Sequence, residues 1–345
     1  MSTMYLGFYG LEEAPFNATP DPRFLFLTPS HREALAQLMY GVQENKGFIV
    51  LTGEVGTGKT TLLQTLLKRL DTNTAVAYIY NSTLPFEELL EYMLADFGIA
   101  KPGESRAQRL FALNNFLIER RRAGQTTVLL IDEAQNLDVA TLEQVRMLSN
   151  FESPTEKLLQ ILLVGQPELK VKLDLPELRQ LKQRISLRCR IAPLTAAETR
   201  DYIRTRLRIA GARHAHIFTE AAVQRITEYA GGIPRVINIL CDHCLLVGYA
   251  DQVREIDRGI VERGIQYLED GALPKRRSGS FFQERRRRLW PWTAGVAAAA
   301  VIGAAAVALA ATFVVTPTHS VGAALQAVTT SITSLADSTR GLLVR

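Results

Sequence analysis

This sequence predicts an α/β fold built on a parallel sheet flanked by helices, followed by a small all-helical region, and three observations predict it. Short apolar runs alternate with stretches of helical periodicity between Phe48 and Ile191; a glycine-rich turn joins the first run to its helix; and from Thr195 to Glu269 only helical spacing remains. The runs are apolar throughout instead of at every second residue, as strands covered on both faces should be. A further apolar stretch, Thr293 to Val315, stands apart from both regions.

From Tyr5 to Leu27 the chain mixes aromatic residues with Pro15, Pro20 and Pro22, which favours an extended, docked segment over a helix. Ser30-His31-Arg32-Glu33 reads as a capping box, and Ala34, Leu35, Leu38, Met39 and Val42 then recur at helical spacing. Residues 1–46 are therefore expected to form a docking segment and a helix leading into the first strand.

That strand, Phe48 to Thr52, runs into Gly53-Glu54-Val55-Gly56-Thr57-Gly58-Lys59-Thr60-Thr61, which fits the phosphate-loop pattern G-x-x-x-x-G-K-[ST] at every specified position. Its glycines let backbone N–H groups turn inward around a phosphate at the positive end of the following helix, Thr61 to Leu70. Lys59 would reach the β- and γ-phosphates of ATP, and Thr60 would offer its hydroxyl to Mg²⁺. A plain glycine-rich turn carrying one exposed lysine is the alternative, and the strand and helix around the loop argue against it. The Tyr5–Leu27 segment would then either close over the adenine base or simply pack against the sheet.

Ala75 to Tyr80 reads as the next strand, and Phe86 to Phe97 and Gln108 to Ala123 as helices. Val128 to Ile131 is a buried run that ends directly in Asp132-Glu133. Two carboxylates at the C-terminal end of a strand sit where open α/β sheets bind ligands. Alone, such a pair is a solvated turn; behind a phosphate loop, Asp132 is expected to hold Mg²⁺ through water and Glu133 to polarise the attacking water. Leu142, Val145 and Leu148 continue a helix, and Leu159 to Val164 forms a strand ending at Gly165-Gln166-Pro167. Gln166 thus lies level with Asp132, either as a contact to the γ-phosphate or its water, or as a turn residue.

After a helical stretch ending LRQLKQRI and a strand at Ser186 to Ile191, Pro193 marks the edge of the core, expected over 47–193. The helical domain, 194–270, comprises Ala196 to Arg208, Glu220 to Tyr229, Pro234 to Tyr249 and Asp257 to Glu269. Within it, Gly231-Gly232-Ile233-Pro234-Arg235 starts a helix with proline in its first turn and places Arg235 against the helix dipole, so an anion is expected nearby. Cys241 and Cys244 look like half of a zinc site, but no second pair stands at ligand spacing. They share a helical face with Ile237 and Leu240 and read as small buried hydrophobes, as does the odd count of three cysteines, which argues against disulfides. No metal beyond Mg²⁺ is expected.

Charge is unevenly placed. The chain carries +5 over 345 residues, and Lys275 to Arg288 alone carries +6; allowing for +1 in residues 316–345, everything before Lys275 is near −2. A near-neutral domain makes nucleic acid an unexpected partner. Residues 271–292 form a basic linker, and its Arg285 to Arg288 could hold anionic lipid headgroups. Thr293 to Val315 runs 23 positions without a charge, and about 1.5 Å per residue takes it ~34 Å, across a bilayer core. Trp290, Trp292 and the arginines before it are the flanks expected of a transmembrane helix with its N-terminal side in the cytoplasm, a buried core helix or a surface-lying helix being the alternatives. Residues 316–345 would be a short periplasmic tail. The first residues lack a basic start followed by an apolar run, so no signal peptide is expected.

In order and combination, FYGLEEAPF, PDPRFLFL, GEVGTGKTT, LLIDEAQNL, LLVGQPEL, LKQRI and GGIPRVINILCD resemble an AAA+ ATPase, and more narrowly the general secretion pathway protein A (ExeA-type) family, over Met4 to Asp270. The resemblance implies ATP hydrolysis with Lys59, Thr60, Asp132 and Glu133 in the roles above, Gln166 at the sensor-1 position and Arg235 at sensor 2. It also implies that Arg184, with Arg179 in reserve, is an arginine finger given to a neighbouring subunit, so that the active form is a homo-oligomer. Secretion-pathway relatives carry a peptidoglycan-binding domain beyond the membrane, which the residues after Val315 do not supply, so their cell-wall role is not carried over. The expected function is an inner-membrane ATPase that assembles or drives an envelope system (secretion, pilus or exopolysaccharide export) with envelope partner proteins. A DNA-associated regulator of the transposition type and a nucleotide-dependent scaffold with little hydrolysis are the alternatives.

Overall fold

The computed structural model describes residues 4–17, 21–80, 83–99, 105–152, 156–212 and 217–270. Five strands, β1 (Phe48–Gly53), β2 (Ala75–Ile79), β3 (Thr127–Ile131), β4 (Gln160–Gly165) and β5 (Ile185–Ile191), form a sheet in the order β2-β3-β4-β1-β5. Every pairing is parallel. Alternate residues of the strands feed two cores. Ile49, Leu51, Leu130, Leu162 and Val164 face one side and meet helices α2 (Pro29–Gln43) and α3 (Lys59–Arg69). Val50, Ile79, Leu129, Ile131 and Leu163 face the other, against α4 (Phe86–Asp96), α5 (Arg106–Arg122), α6 (Val139–Leu148) and α7 (Pro167–Leu173). Both faces of the inner strands β1, β3 and β4 are covered, which is why their runs lack alternation, whereas the edge strand β5 alternates exposed Ser186, Arg188 and Arg190 with Leu187, Cys189 and Ile191.

The strand order has a functional consequence. Thr52 pairs with Gly165, and Ile131 with Leu163, so the turns that follow β1, β4 and β3 emerge side by side along one rim of the sheet. Lys59, Gln166 and the Asp132-Glu133 pair are delivered to that rim by three neighbouring strands.

Helix α8 (Arg179–Arg184) leads into β5, and four helices follow: α9 (Ala196–Ile209), α10 (Glu220–Ala230), α11 (Pro234–Ala250) and α12 (Arg258–Asp270). They share a third core, which contains Cys241 and Cys244, both fully buried. Burial raises both thiols well above their ordinary range, as expected of inert, space-filling side chains. All of this belongs to one compact unit, Met1–Pro274.

Two expectations for the N-terminal segment are corrected. It is not wholly extended, because Leu6–Tyr9 forms a one-turn helix (α1) ended by Gly10 in the left-handed region. Nor does most of it pack on the sheet: Tyr5, Leu6, Tyr9, Leu11, Phe16 and Phe24 are buried in the core of the helical region, and Leu27 at its end meets the sheet-side core. The physical reason is a set of anchors there, Tyr5 to Asp242, the Tyr9 hydroxyl to the Val253 carbonyl (3.0 Å) and Glu12 N–H to the Ala210 carbonyl (2.8 Å). The capping box at Ser30 is also displaced. Thr28 caps α2, accepting from His31 N–H at 3.3 Å, since Pro29 presets the first helical φ and starts the helix earlier.

Among the described residues no helix is long and apolar enough to cross a membrane. The expected transmembrane helix at 293–315, the linker 271–292 and the tail 316–345 lie outside the described residues.

Candidate functional site

The Gly53–Thr61 loop leaves β1 and turns into α3, whose first residue is Lys59. Lys59 is 5% exposed, and its ammonium rests on the carbonyls of Gly53 (2.9 Å) and Glu54 (3.2 Å). Burial lowers its pKa against the opposing field of Glu133, Asp132, Glu54 and Glu168. Gly56 sits at φ 80°, and a Cβ there would come within 2.6 Å of Arg235 Cβ, so only glycine fits both the turn and its neighbour.

Asp132, 5% exposed, is gripped at both oxygens. Glu133 N–H donates to Oδ1 at 2.9 Å, while Thr60 (3.3 Å) and the Tyr78 hydroxyl (3.1 Å) donate to Oδ2. Burial, reinforced by Asp132, pushes the Tyr78 phenol well above its usual value, so it stays a donor. A hydroxyl and a carboxylate converging beside a phosphate loop are the hard oxygen donors that Mg²⁺ takes, with phosphate oxygens and water completing its octahedron. The residues present therefore fit the ion.

Glu133 adopts φ 51°, in the left-handed region uncommon for a residue with a side chain. Its Oε2 accepts from the Gln135 amide at 2.6 Å and from the Gln166 amide at 3.0 Å, while Gln135 Oε1 accepts the Gln166 N–H at 3.0 Å. Burial alone would raise the Glu133 pKa; the two amides and Lys59 outweigh it and hold the carboxyl below its usual range. Glu133 is thus an oriented carboxylate, and Gln166 is one of the groups that hold it.

Lys59 and Glu133 line one end of a cleft of about 450 Å³, a size typical of nucleotide and cofactor sites, with Asp132 and Gln166 held just behind through Thr60 and Glu133. Val55, Gly56, Thr57, Gly58, Thr60 and Thr61 border the same end. The other end is lined by Asn17, Asp21, Phe24, Leu25, Phe26, Leu194, Tyr202, Arg206 and Asn238. There Arg206, 7% exposed, donates to the Pro15 carbonyl and to the Tyr202 hydroxyl (2.9 Å), with its guanidinium 4.7 Å from the Phe24 ring centre. Arg235 also borders the cleft, and its N–H donates to the Gly56 carbonyl at 3.3 Å, docking the start of α11 onto the loop. Among the described residues its guanidinium makes no ion pair, so the anion expected to offset it is not a carboxylate of this region.

Arg184 is elsewhere. Its guanidinium binds Ser149, Asn150 Oδ1 (2.7 Å) and the Arg146 carbonyl (3.4 Å) at the C-terminal end of α6, and it does not line the cleft. Arg179 is exposed.

Beside Gln135 and Tyr78, the sequence does not announce the part played here by His31 and Arg206. His31 is 5% exposed; its Nε2 lies 3.0 Å from the Thr57 carbonyl and its Nδ1 2.6 Å from Thr28 Oγ1. A carbonyl only accepts, so Nε2 carries the proton and Nδ1 accepts from the Thr28 hydroxyl. Burial lowers its pKa, keeping the ring neutral, and its N–H holds the Thr57 carbonyl of the loop. Arg206 has no local signal either; it reads as one of several polar-face arginines of α9, and only the fold buries it.

The fold and cleft have counterparts. Residues 42–173 match the AAA domain family. The chain is 44% identical over 257 residues to General secretion pathway protein A of Aeromonas hydrophila, a match covering 74% of this chain and 47% of that protein, so the chain spans about half the length of that relative. Among solved structures it is similar to Cdc6p of Pyrobaculum aerophilum (TM-score 0.55, 20% identity, covering 72% of this chain and 71% of that one). It is also similar to the ORC2 protein of Aeropyrum pernix with ADPNP and ADP (TM-score 0.54, 17% identity, 76% and 73% covered). At such identities these structures speak for the nucleotide-binding fold alone. Over the residues that align, the chain belongs to the AAA+ phosphate-loop family represented by General secretion pathway protein A.

Proposed function

We propose that the chain binds ATP with Mg²⁺ in this cleft and hydrolyses it. One observation carries the reading: Lys59, Thr60 and Glu133 line the same cleft as Phe24, Phe26 and Tyr202, while Asp132 and Gln166, from neighbouring strand ends, are hydrogen-bonded to Thr60 and Glu133. The loop N–H groups and Lys59 would hold the β- and γ-phosphates, and Thr60 and Asp132 would hold Mg²⁺, which neutralises charge building on the transferred phosphoryl group. Glu133, ionised and fixed by Gln135 and Gln166, would orient the attacking water and take its proton. Phe24, Leu25 and Phe26 would cover the base, which is the role left open for this segment, while Arg235 would approach the phosphates as the helical region closes.

Arg184 remains the first choice for a finger acting in trans, with Arg179 in reserve. Its distance from its own cleft and its seat on a helix end suit a group that serves a neighbouring subunit. At the level of the cell, the reading is a homo-oligomer anchored in the inner membrane by residues 293–315, with the ATPase in the cytoplasm and Arg285 to Arg288 against anionic lipid, driving an envelope system through partner proteins. The likeness to a secretion-pathway protein and the charge pattern around that segment support it.

Equilibrium binding of a fluorescent ATP analogue to the full chain tests the core of this reading. Lys59→Ala is expected to weaken binding about ten- to a hundredfold, the worth of a charge-assisted contact. Equal affinity in the two proteins would overturn it.

A further inference from the structure

Tyr78 is an aromatic residue that the chemistry above does not use. β2 is the edge strand beside β3, and the register sets Tyr78 opposite Leu130 and Ile79 opposite Ile131, one step before Asp132. Asp132 N–H then donates to the Ile79 carbonyl at 2.9 Å, so the acidic turn is tied to this strand by its backbone. The Tyr78 hydroxyl reaches Asp132 Oδ2 at 3.1 Å, sharing that oxygen with Thr60. The ring is braced from behind. It meets Tyr80 edge-on at 6.4 Å, and the Tyr80 hydroxyl in turn lies 2.6 Å from that of Tyr92 on α4.

We propose that Tyr78 is a positioning residue for the magnesium site, holding the Asp132 carboxylate at the angle from which it receives the metal's water. The inference rests on the nucleotide reading above. A carboxylate that acts through water needs a fixed lone-pair direction, and its holders must not move when the metal arrives. Thr60 is asked to turn its own oxygen to the ion while its proton stays on Asp132. Tyr78 has no such second duty, and it projects from a strand rather than from the loop that closes on the phosphates. Removing its hydroxyl leaves Oδ2 with Thr60 alone.

The test is a titration of Mg²⁺ against binding of a fluorescent ATP analogue, with the full chain as wild type, Tyr78→Phe, Asp132→Asn and the double variant. Tyr78→Phe is expected to leave metal-free affinity unchanged and to raise the Mg²⁺ concentration for half-maximal enhancement about three- to tenfold, at or below the low end of outer-shell effects. In the Asp132→Asn background the same change should do nothing, because the carboxylate it serves is gone. If the wild type responds to Mg²⁺ and the Tyr78→Phe curve overlays it, the inference is overturned. It is equally overturned if metal-free and metal-bound affinities fall by the same factor, which would mark Tyr78 as a packing residue. If the wild type binds no nucleotide under either condition, the functional reading fails first and takes this one with it.

Discussion

The two ends of the cleft are built by opposite means. The phosphate end is a continuous nine-residue loop, Gly53 to Thr61, joined by the single turns that follow β3 and β4. The other end is assembled from places far apart in sequence: Asn17, Asp21 and Phe24 to Phe26; Leu194, Tyr202 and Arg206; and Asn238. One end rests on the inner strands of the sheet, paired on both sides and covered on both faces; the other hangs on a helical core to which the N-terminal segment is stapled. Chemistry needs fixed groups and exchange of ligand needs an opening, and the division gives each requirement its own scaffold.

Replacement at the phosphate end is therefore expected to change turnover, and replacement at the other end to change affinity and stability. The largest effect belongs to Glu133→Gln. The shape and the amide holders survive, but the group can no longer take a proton, so hydrolysis should fall by roughly 10² to 10⁴ while ATP affinity stays within about twofold. Single-turnover hydrolysis beside equilibrium binding reads both. A variant that hydrolyses normally would move the catalytic role away from the acidic turn and break the division.

A smaller effect, of the other kind, is expected from Arg206→Met. The change leaves the Pro15 carbonyl without this donor and removes the cation from the Phe24 and Tyr202 rings. Lost cation–π and hydrogen-bond contacts of about 1–2 kcal/mol should lower the melting temperature and weaken nucleotide affinity several-fold. Turnover at saturating ATP should hold. A fall in saturated turnover instead would mean that the ends are not independent.

The same contrast explains what was legible in the sequence. Residues of the loop are consecutive, and each glycine and the lysine are demanded by one local geometry, so the pattern Gly53 to Thr61 names them without any fold. Asp132 and Glu133 needed one inference more, that an apolar run ending in carboxylates is a strand delivering them to a rim. Their amide holders split: Gln166 could be placed by its strand, but Gln135 reaches Glu133 only through a left-handed turn that no local pattern announces. Arg206 and Tyr78 become functional through tertiary contacts alone. The Tyr5–Leu27 segment was recognised as docked, yet its partner depended on which core its aromatics would complete, and nothing local distinguishes the two.

The smallest expected effect, and the one that sharpens the comparison most, lies at the seam. His31 belongs to α2, at the end of the segment stapled to the helical core, and its ring donates to Thr57 inside the phosphate loop. Burial holds its pKa below the ordinary 6.5 against the opposing pull of the Thr57 carbonyl and Glu198. The sign follows from linkage: below about pH 6.5 the unfolded ring takes up a proton that the folded one resists, so the unfolded chain binds more protons and stability falls as the pH is lowered. The contribution is whole above the unfolded value and is lost as pH drops from there toward the folded one. His31→Gln keeps a donor for Thr57 without a titrating group. The wild type should therefore melt above the glutamine variant at pH 8, by an amount matching about 1 kcal/mol for the lost Thr28 contact, and this advantage should shrink by pH 5.5. A gap that does not change with pH would mean that the ring is not held neutral against the loop.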